Sequence, residues 1–155
     1  MSWIDDEINA DKKRNEEAAA KQERELHRAK LIEAKGRELW DALRNVCREL
    51  TQEYERKCGV APHCKVRFDD SDPDSFFVQM EHVSERPRAL ARLRLRNYQI
   101  EIEHIYWRGG SDPQKTKLHF AFDCDGLDVM LSCAGERIAI PSAAERILKP
   151  VLSSI

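Results

Sequence analysis

The spacing of apolar residues changes along the chain. From residue 5 to residue 57 there is no proline and one glycine, and the helix formers Ala, Glu, Lys, Arg and Leu dominate. From residue 64 to residue 140, short runs alternate apolar with polar residues, which is typical of strands with one buried face. The pattern predicts an α+β fold: a long N-terminal helix or two helices, an antiparallel meander sheet or roll of about seven strands, and a short C-terminal helix.

The predicted N-terminal helix has two unlike halves. Residues 11 to 30 carry seven basic and five acidic side chains, and Leu26 is their only large apolar residue. Such a segment has nothing to bury, so we expect a solvated helix there. We therefore divide the chain into a charged helical arm, residues 1–30 (the arm), and a single α+β domain, residues 31–155 (the body).

An apolar stripe marks the second half of this helix. Its members follow spacings of three and four: Ala29, Ile32, Gly36, Leu39, Leu43, Val46 and Leu50. Trp40 and Cys47 widen the stripe beyond the narrow seam of a two-stranded coiled coil. We expect the stripe to pack on the domain's own sheet; a helix-mediated dimer is the alternative.

The strands are separated by short turn-rich segments, so successive strands are expected to pair antiparallel. The Asp-Gly pair at residues 125–126 predicts a type I′ hairpin turn. This turn would set Phe122 opposite Val129. It would also set Phe120 opposite Leu131, so that these four apolar side chains share the core face.

The final helix is predicted from the segment that follows residue 140. Ser142 and Glu145 have the spacing of a capping box, which marks a helix N-terminus. Pro150 should kink or end this helix, because proline lacks the backbone N–H.

Arginine alternates with apolar residues in the third predicted strand. Its arginines face the same side as the glutamates of the next strand, Glu101 and Glu103. A two-residue turn sets Arg92 opposite Glu101, whereas a four-residue loop sets Arg94 opposite Glu101 and Arg92 opposite Glu103. Both registers pair opposite charges, worth about 0.2–1 kcal/mol a pair. We interpret the pattern as a solvated face that fixes register.

The same arginines suggest an alternative, an anion-binding strand formed by Arg88, Arg92, Arg94 and Arg96. Alternate residues of a strand lie about 6.6 Å apart, close to the spacing of successive phosphates, and Arg binds phosphate in a bidentate manner. Against nucleic acid stand 26 Lys and Arg against 28 Asp and Glu, a net charge of -2, and no interleaved aromatic residues.

Composition bears on location and cofactors. The N-terminus lacks the apolar core of a signal peptide, and no apolar run approaches the roughly 18 residues of a membrane span. We expect a cytoplasmic protein with reduced thiols. The zinc candidates Cys58, His63, Cys64, Cys124 and Cys133 do not match the usual ligand spacings, so we predict no metal site and no cofactor.

Catalytic motifs are also missing from the sequence. There is no G-x-S-x-G elbow, no glycine-rich phosphate loop and no H-E-x-x-H, and the histidines are scattered. We assign no catalytic residue. His104 shares the face of the apolar residues of its strand, which is typical of a core histidine, whereas His119 lies on the opposite face from Phe120.

The remaining hypothesis is a non-enzymatic protein-interaction or adaptor domain. Trp3, Ile4 and Ile8 provide apolar contacts at helical spacing on the far end of the arm. The partner would be another protein, or a second copy through self-association of the N-terminal helix. Alternatives are a small-ligand or lipid-head-group binding domain with a cavity in the roll, the anion-binding strand, and an enzyme assembled from scattered His and Asp.

Overall fold

The computed structural model describes residues 2–57, 64–82, 86–97, 99–109 and 112–153. Its elements are α1 (Trp3–Lys57), β1 (Cys64–Asp72), β2 (Ser75–His82), β3 (Pro87–Arg96), β4 (Gln99–Tyr106), β5 (Gln114–Asp125), β6 (Asp128–Cys133), β7 (Glu136–Ile138) and α2 (Ile140–Leu152). The predicted α+β fold with a long leading helix, seven strands and a short final helix is confirmed.

The N-terminal region forms one helix of 55 residues rather than two helices. Every residue from 2 to 28 is exposed. The buried residues of α1 all come later: Ile32, Gly36, Trp40, Leu43, Cys47 and Thr51. They recur at intervals of three or four, as a helix with one buried face requires.

The seven strands form one antiparallel sheet in which each strand pairs with its sequence neighbours. One face of the sheet is covered by both helices: α1 contacts β1, β5 and β6, and α2 contacts β2, β3 and β4. The largest fully buried side chains include Trp40, Phe76, Phe120, Leu43 and Met80. Because these side chains come from both helix and sheet, the two layers share a single hydrophobic core.

Polar contacts add to this packing of α1. The indole Nε1 of Trp40 donates a hydrogen bond of 2.8 Å to the carbonyl of Pro73, in the turn between β1 and β2. Near the other end of the stripe, the hydroxyl of Tyr54 donates to the carbonyl of Leu152 at 3.2 Å. The stripe thus packs on the chain's own sheet and final helix, which is the first of the two readings of its spacing. Ile32, Gly36 and Leu43 are buried, whereas Leu39, Val46 and Leu50 are half-buried.

The hairpin between β5 and β6 turns one residue later than the sequence predicts. Asp125 pairs with Asp128, so the turn consists of Gly126 and Leu127 instead of residues 125–126. Gly126 has a φ of 62° at the first central position. Glycine at that position is typical of a type II′ turn, the other tight hairpin turn that suits the twist of the strands.

This turn changes the pairing but leaves the core face as predicted. Phe122 lies opposite Leu131, so the predicted pairs of Phe122 with Val129 and of Phe120 with Leu131 are wrong. The shift moves each partner by two residues, and side chains two apart share a face. Phe120, Phe122 and Leu131 are buried, and Val129 packs against them.

The final helix begins at Ile140, before the predicted capping box. Its N-cap is Ala139, which makes no side-chain capping bond. Pro141 occupies the first turn, where its fixed φ and missing N–H favour a helix start. Pro150 does not end the helix at once, because α2 continues to Leu152.

Candidate functional site

The arm exposes apolar side chains at its tip. Trp3, Ile4 and Ile8 are 73%, 50% and 59% exposed. Among the described residues only two further large apolar side chains are so open to solvent, Leu26 and Leu127. Trp3, Ile4 and Ile8 therefore lie where the sequence predicts contact residues, and the described part of the chain leaves them uncovered.

Ile4, Ile8 and Leu26 lie on one side of α1, whereas Trp3 is about 100° from Ile4 around the helix axis. With 100° per residue, Ile8 and Leu26 are both about 40° from Ile4 around the helix axis. Gly36, in the buried stripe, is about 40° from Ile4 in the opposite sense. The apolar side of the arm thus has the same direction as the side of α1 that enters the core.

A concavity of about 560 Å³ opens where α1 meets the body. We call it the base concavity; its apolar lining comes from Ile32, Gly36, Leu95 and Phe122. A Cβ atom at Gly36 would lie 3.4 Å from the ring of Phe122, so the missing side chain lets α1 approach this ring closely. Ile32, Gly36 and Phe122 are buried by the rest of the chain, so little of this apolar lining is accessible.

Charged residues form the rim of the base concavity. Arg37 donates a hydrogen bond to Asp74, and this bond raises the pKa of Arg37 above its usual value. Arg96 and Glu33 also line the opening. Charged and polar side chains therefore provide more than half of the accessible surface of the base concavity.

Two polar contacts fasten the start of the stripe to the β5–β6 hairpin. Arg28 donates to the carboxylate of Asp123 at 3.1 Å, and the ammonium group of Lys35 donates to the carbonyl of Leu127 at 2.6 Å. Both contacts are exposed, so each contributes at most about 1 kcal/mol to stability. They mark the position at which α1 leaves the body.

A second candidate surface lies on the outer face of the sheet. It is a groove of about 370 Å³ that includes Arg92, Arg94, Arg96, Glu101, Glu103, Lys117 and His119. Arg88 does not line it; Arg88 is half-buried, and its carbonyl accepts a hydrogen bond of 3.0 Å from the backbone N–H of Trp107. The structure therefore brings together three of the four arginines proposed as an anion-binding strand.

The arginines and glutamates pair in one of the two predicted registers. Arg94 lies opposite Glu101 and Arg92 lies opposite Glu103. This pairing was expected with a four-residue loop, but the strands are joined by the two residues 97–98, because the ladder continues to the pair of Arg96 with Gln99. The ladder of opposite charges is therefore present.

The closest contact within the ladder is diagonal. The Nε atom of Arg96 lies 3.3 Å from a carboxylate oxygen of Glu101. Within the described ranges, Arg92 and Arg94 form no ion pair at contact distance. These two guanidinium groups face the groove with their cross-strand glutamates beside them.

Sequence reasoning missed the contribution of β5 to this groove. Glu103 lies opposite Lys117 and Glu101 lies opposite His119. Each glutamate of β4 is therefore flanked by cationic or titratable side chains of both neighbouring strands. The alternation of Lys115, Lys117 and His119 was visible in the sequence, but the register between β4 and β5 was not fixed by any short turn.

The His, Cys, Asp and Glu side chains of the described residues do not form a metal site. His104 is buried and hydrogen-bonded to the backbone of α2, and His119 is exposed on the outer face, as the sequence predicts. Outside the undescribed segments, no three His, Cys, Asp or Glu side chains lie close enough to hold a metal ion. Cys58 and His63 of the zinc candidates lie outside the described residues.

No helix within the described ranges combines the length and the apolar character that a membrane span needs. No protein-family model matches the chain, and no curated protein and no solved structure is significantly similar to it.

Proposed function

We propose that this protein is a non-enzymatic protein-binding domain in which the arm contacts the partner. One observation carries the proposal: α1 continues without a break from the buried stripe to a tip with three exposed apolar side chains, Trp3, Ile4 and Ile8. The body holds the helix by its C-terminal half. The N-terminal half is thereby presented to solvent as a preformed helix.

The preformed helix is an advantage for binding. An isolated charged helix is only marginally stable in water, and a partner that orders it must offset the loss of conformational entropy. Here the packed part of α1 supplies the nucleus on which the arm extends. Apolar anchors at helical spacing, surrounded by charge, are the features that helix-in-groove recognition uses.

The other surfaces support this reading less well. In the outer groove, Glu101 and Glu103 lie among the cations and reduce the attraction for an anion. The inner face of the sheet is covered by both helices, and the large side chains there are fully buried. A ligand cavity between sheet and helices would need that space.

Affinity capture from an extract of the native cell tests the proposal. The bait is the full chain, compared with the double substitution Trp3→Ala and Ile8→Ala. The matched control is Arg92→Gln with Arg94→Gln, which changes the outer groove and leaves the arm intact. A partner that is captured by the wild type and the control but lost with the tip substitutions supports the arm as the binding element. A partner lost only with the groove substitutions moves the site to the sheet and contradicts the proposal.

A further inference from the structure

We draw no further inference here: the strongest candidate, the cleft of about 600 Å³ between the arm and the β5–β6 hairpin that Arg24, His27, Arg28 and Cys124 line, rests on a lone cysteine, because Arg28 is already paired with Asp123 and nothing else among the described residues of the cleft points to a ligand.

Discussion

The imidazole Nε2 of His104 lies 2.9 Å from the backbone carbonyl oxygen of Ile147. A carbonyl oxygen only accepts hydrogen bonds, so the ring donates from Nε2. His104 is on β4 in the middle of the sheet and is 5% exposed, and Ile147 is on α2. A single polar side chain thus bonds the inner face of the sheet to the main chain of the final helix.

We expect His104→Leu to lower the free energy of unfolding by about 1–3 kcal/mol, because the carbonyl of Ile147 loses a buried partner. Urea denaturation measures the change. His104→Gln is the matched control, since its side-chain amide also donates, and it should be less destabilising. Equal losses for Leu and Gln would contradict a role for the hydrogen bond.

A substitution at Gly36 should instead raise the free energy of unfolding. A glycine inside a helix costs about 1 kcal/mol relative to alanine, and a Cβ at this position would meet the Phe122 ring at an ordinary contact distance of 3.4 Å. Gly36→Ala should therefore raise the unfolding free energy by up to about 1 kcal/mol. Gly36→Leu has no room against the ring and should destabilise by about 1–3 kcal/mol. Thermal denaturation of both variants tests these two predictions. A loss of stability in Gly36→Ala would contradict the first.

Cys47 should make the stability of the body fall at alkaline pH. Burial of the thiol raises its pKa from 9.0 to about 12. The unfolded chain then releases this proton at a lower pH than the folded chain does. The stabilisation is complete below pH 9 and is lost as the pH rises towards 12, at up to about 1.4 kcal/mol per pH unit.

Urea denaturation between pH 8 and pH 11 measures this slope. Cys47→Ala removes the thiol, so its stability should fall less steeply than that of the wild type over the same range. Parallel slopes for the two proteins would show that Cys47 does not set the alkaline limit.

The two hydrophobic periods of the sequence correctly predicted the architecture, because each period identifies a buried face without reference to any partner strand. Leu43 and Phe122, for example, were both placed on core faces and both are buried. The hydrophobic periods do not determine the strand register, that is, which residues pair across neighbouring strands. The β5–β6 turn could use Gly126 at either central position, and each choice keeps the same side chains inward, so the hydrophobic pattern did not distinguish them.

The surface features were predictable only in part. Trp3 and Ile8 were expected to be exposed because the charged half of α1 has no core to join, and both are exposed. Their role as contact residues stays a prediction. The base concavity was not identified, since Gly36, Leu95 and Phe122 come from three elements far apart in the chain. Only the packing of α1 on the sheet brings them together.

The outer groove provides a prediction about charge. Arg92 and Arg94 lie opposite glutamates on an exposed face, and exposed cross-strand pairs are worth roughly 0.2–1 kcal/mol each. Changing both to Gln should cost at most about 1–2 kcal/mol in urea denaturation. It should also leave binding to DNA and to phosphoinositide vesicles nearly unchanged. Strong salt-dependent binding that this double change abolishes would instead support the anion-binding alternative.

Deletion of the arm should have little effect on the body. A protein that begins at Ala29 loses residues that are exposed from 2 to 28, and it loses the exposed ion pair of Arg28 with Asp123. Because little buried area is removed, the unfolding transition should stay cooperative, with a change of about 0.5–1 kcal/mol or less. Guanidinium denaturation measures this. A large loss of stability would show that the arm is a structural part of the fold.

Because α1 is continuous, the angular position of its tip residues around the helix axis is fixed relative to the body. In a continuous helix each residue adds about 1.5 Å of length and about 100° of rotation. One residue inserted at an exposed position of the arm would therefore leave the body unchanged, yet it would swing Trp3 and Ile4 through more than a quarter of a circle about the helix axis. The number of residues between the tip and the stripe therefore sets the angular position of the tip side chains relative to the body. Insertions or deletions in the arm can change this angle without altering the core.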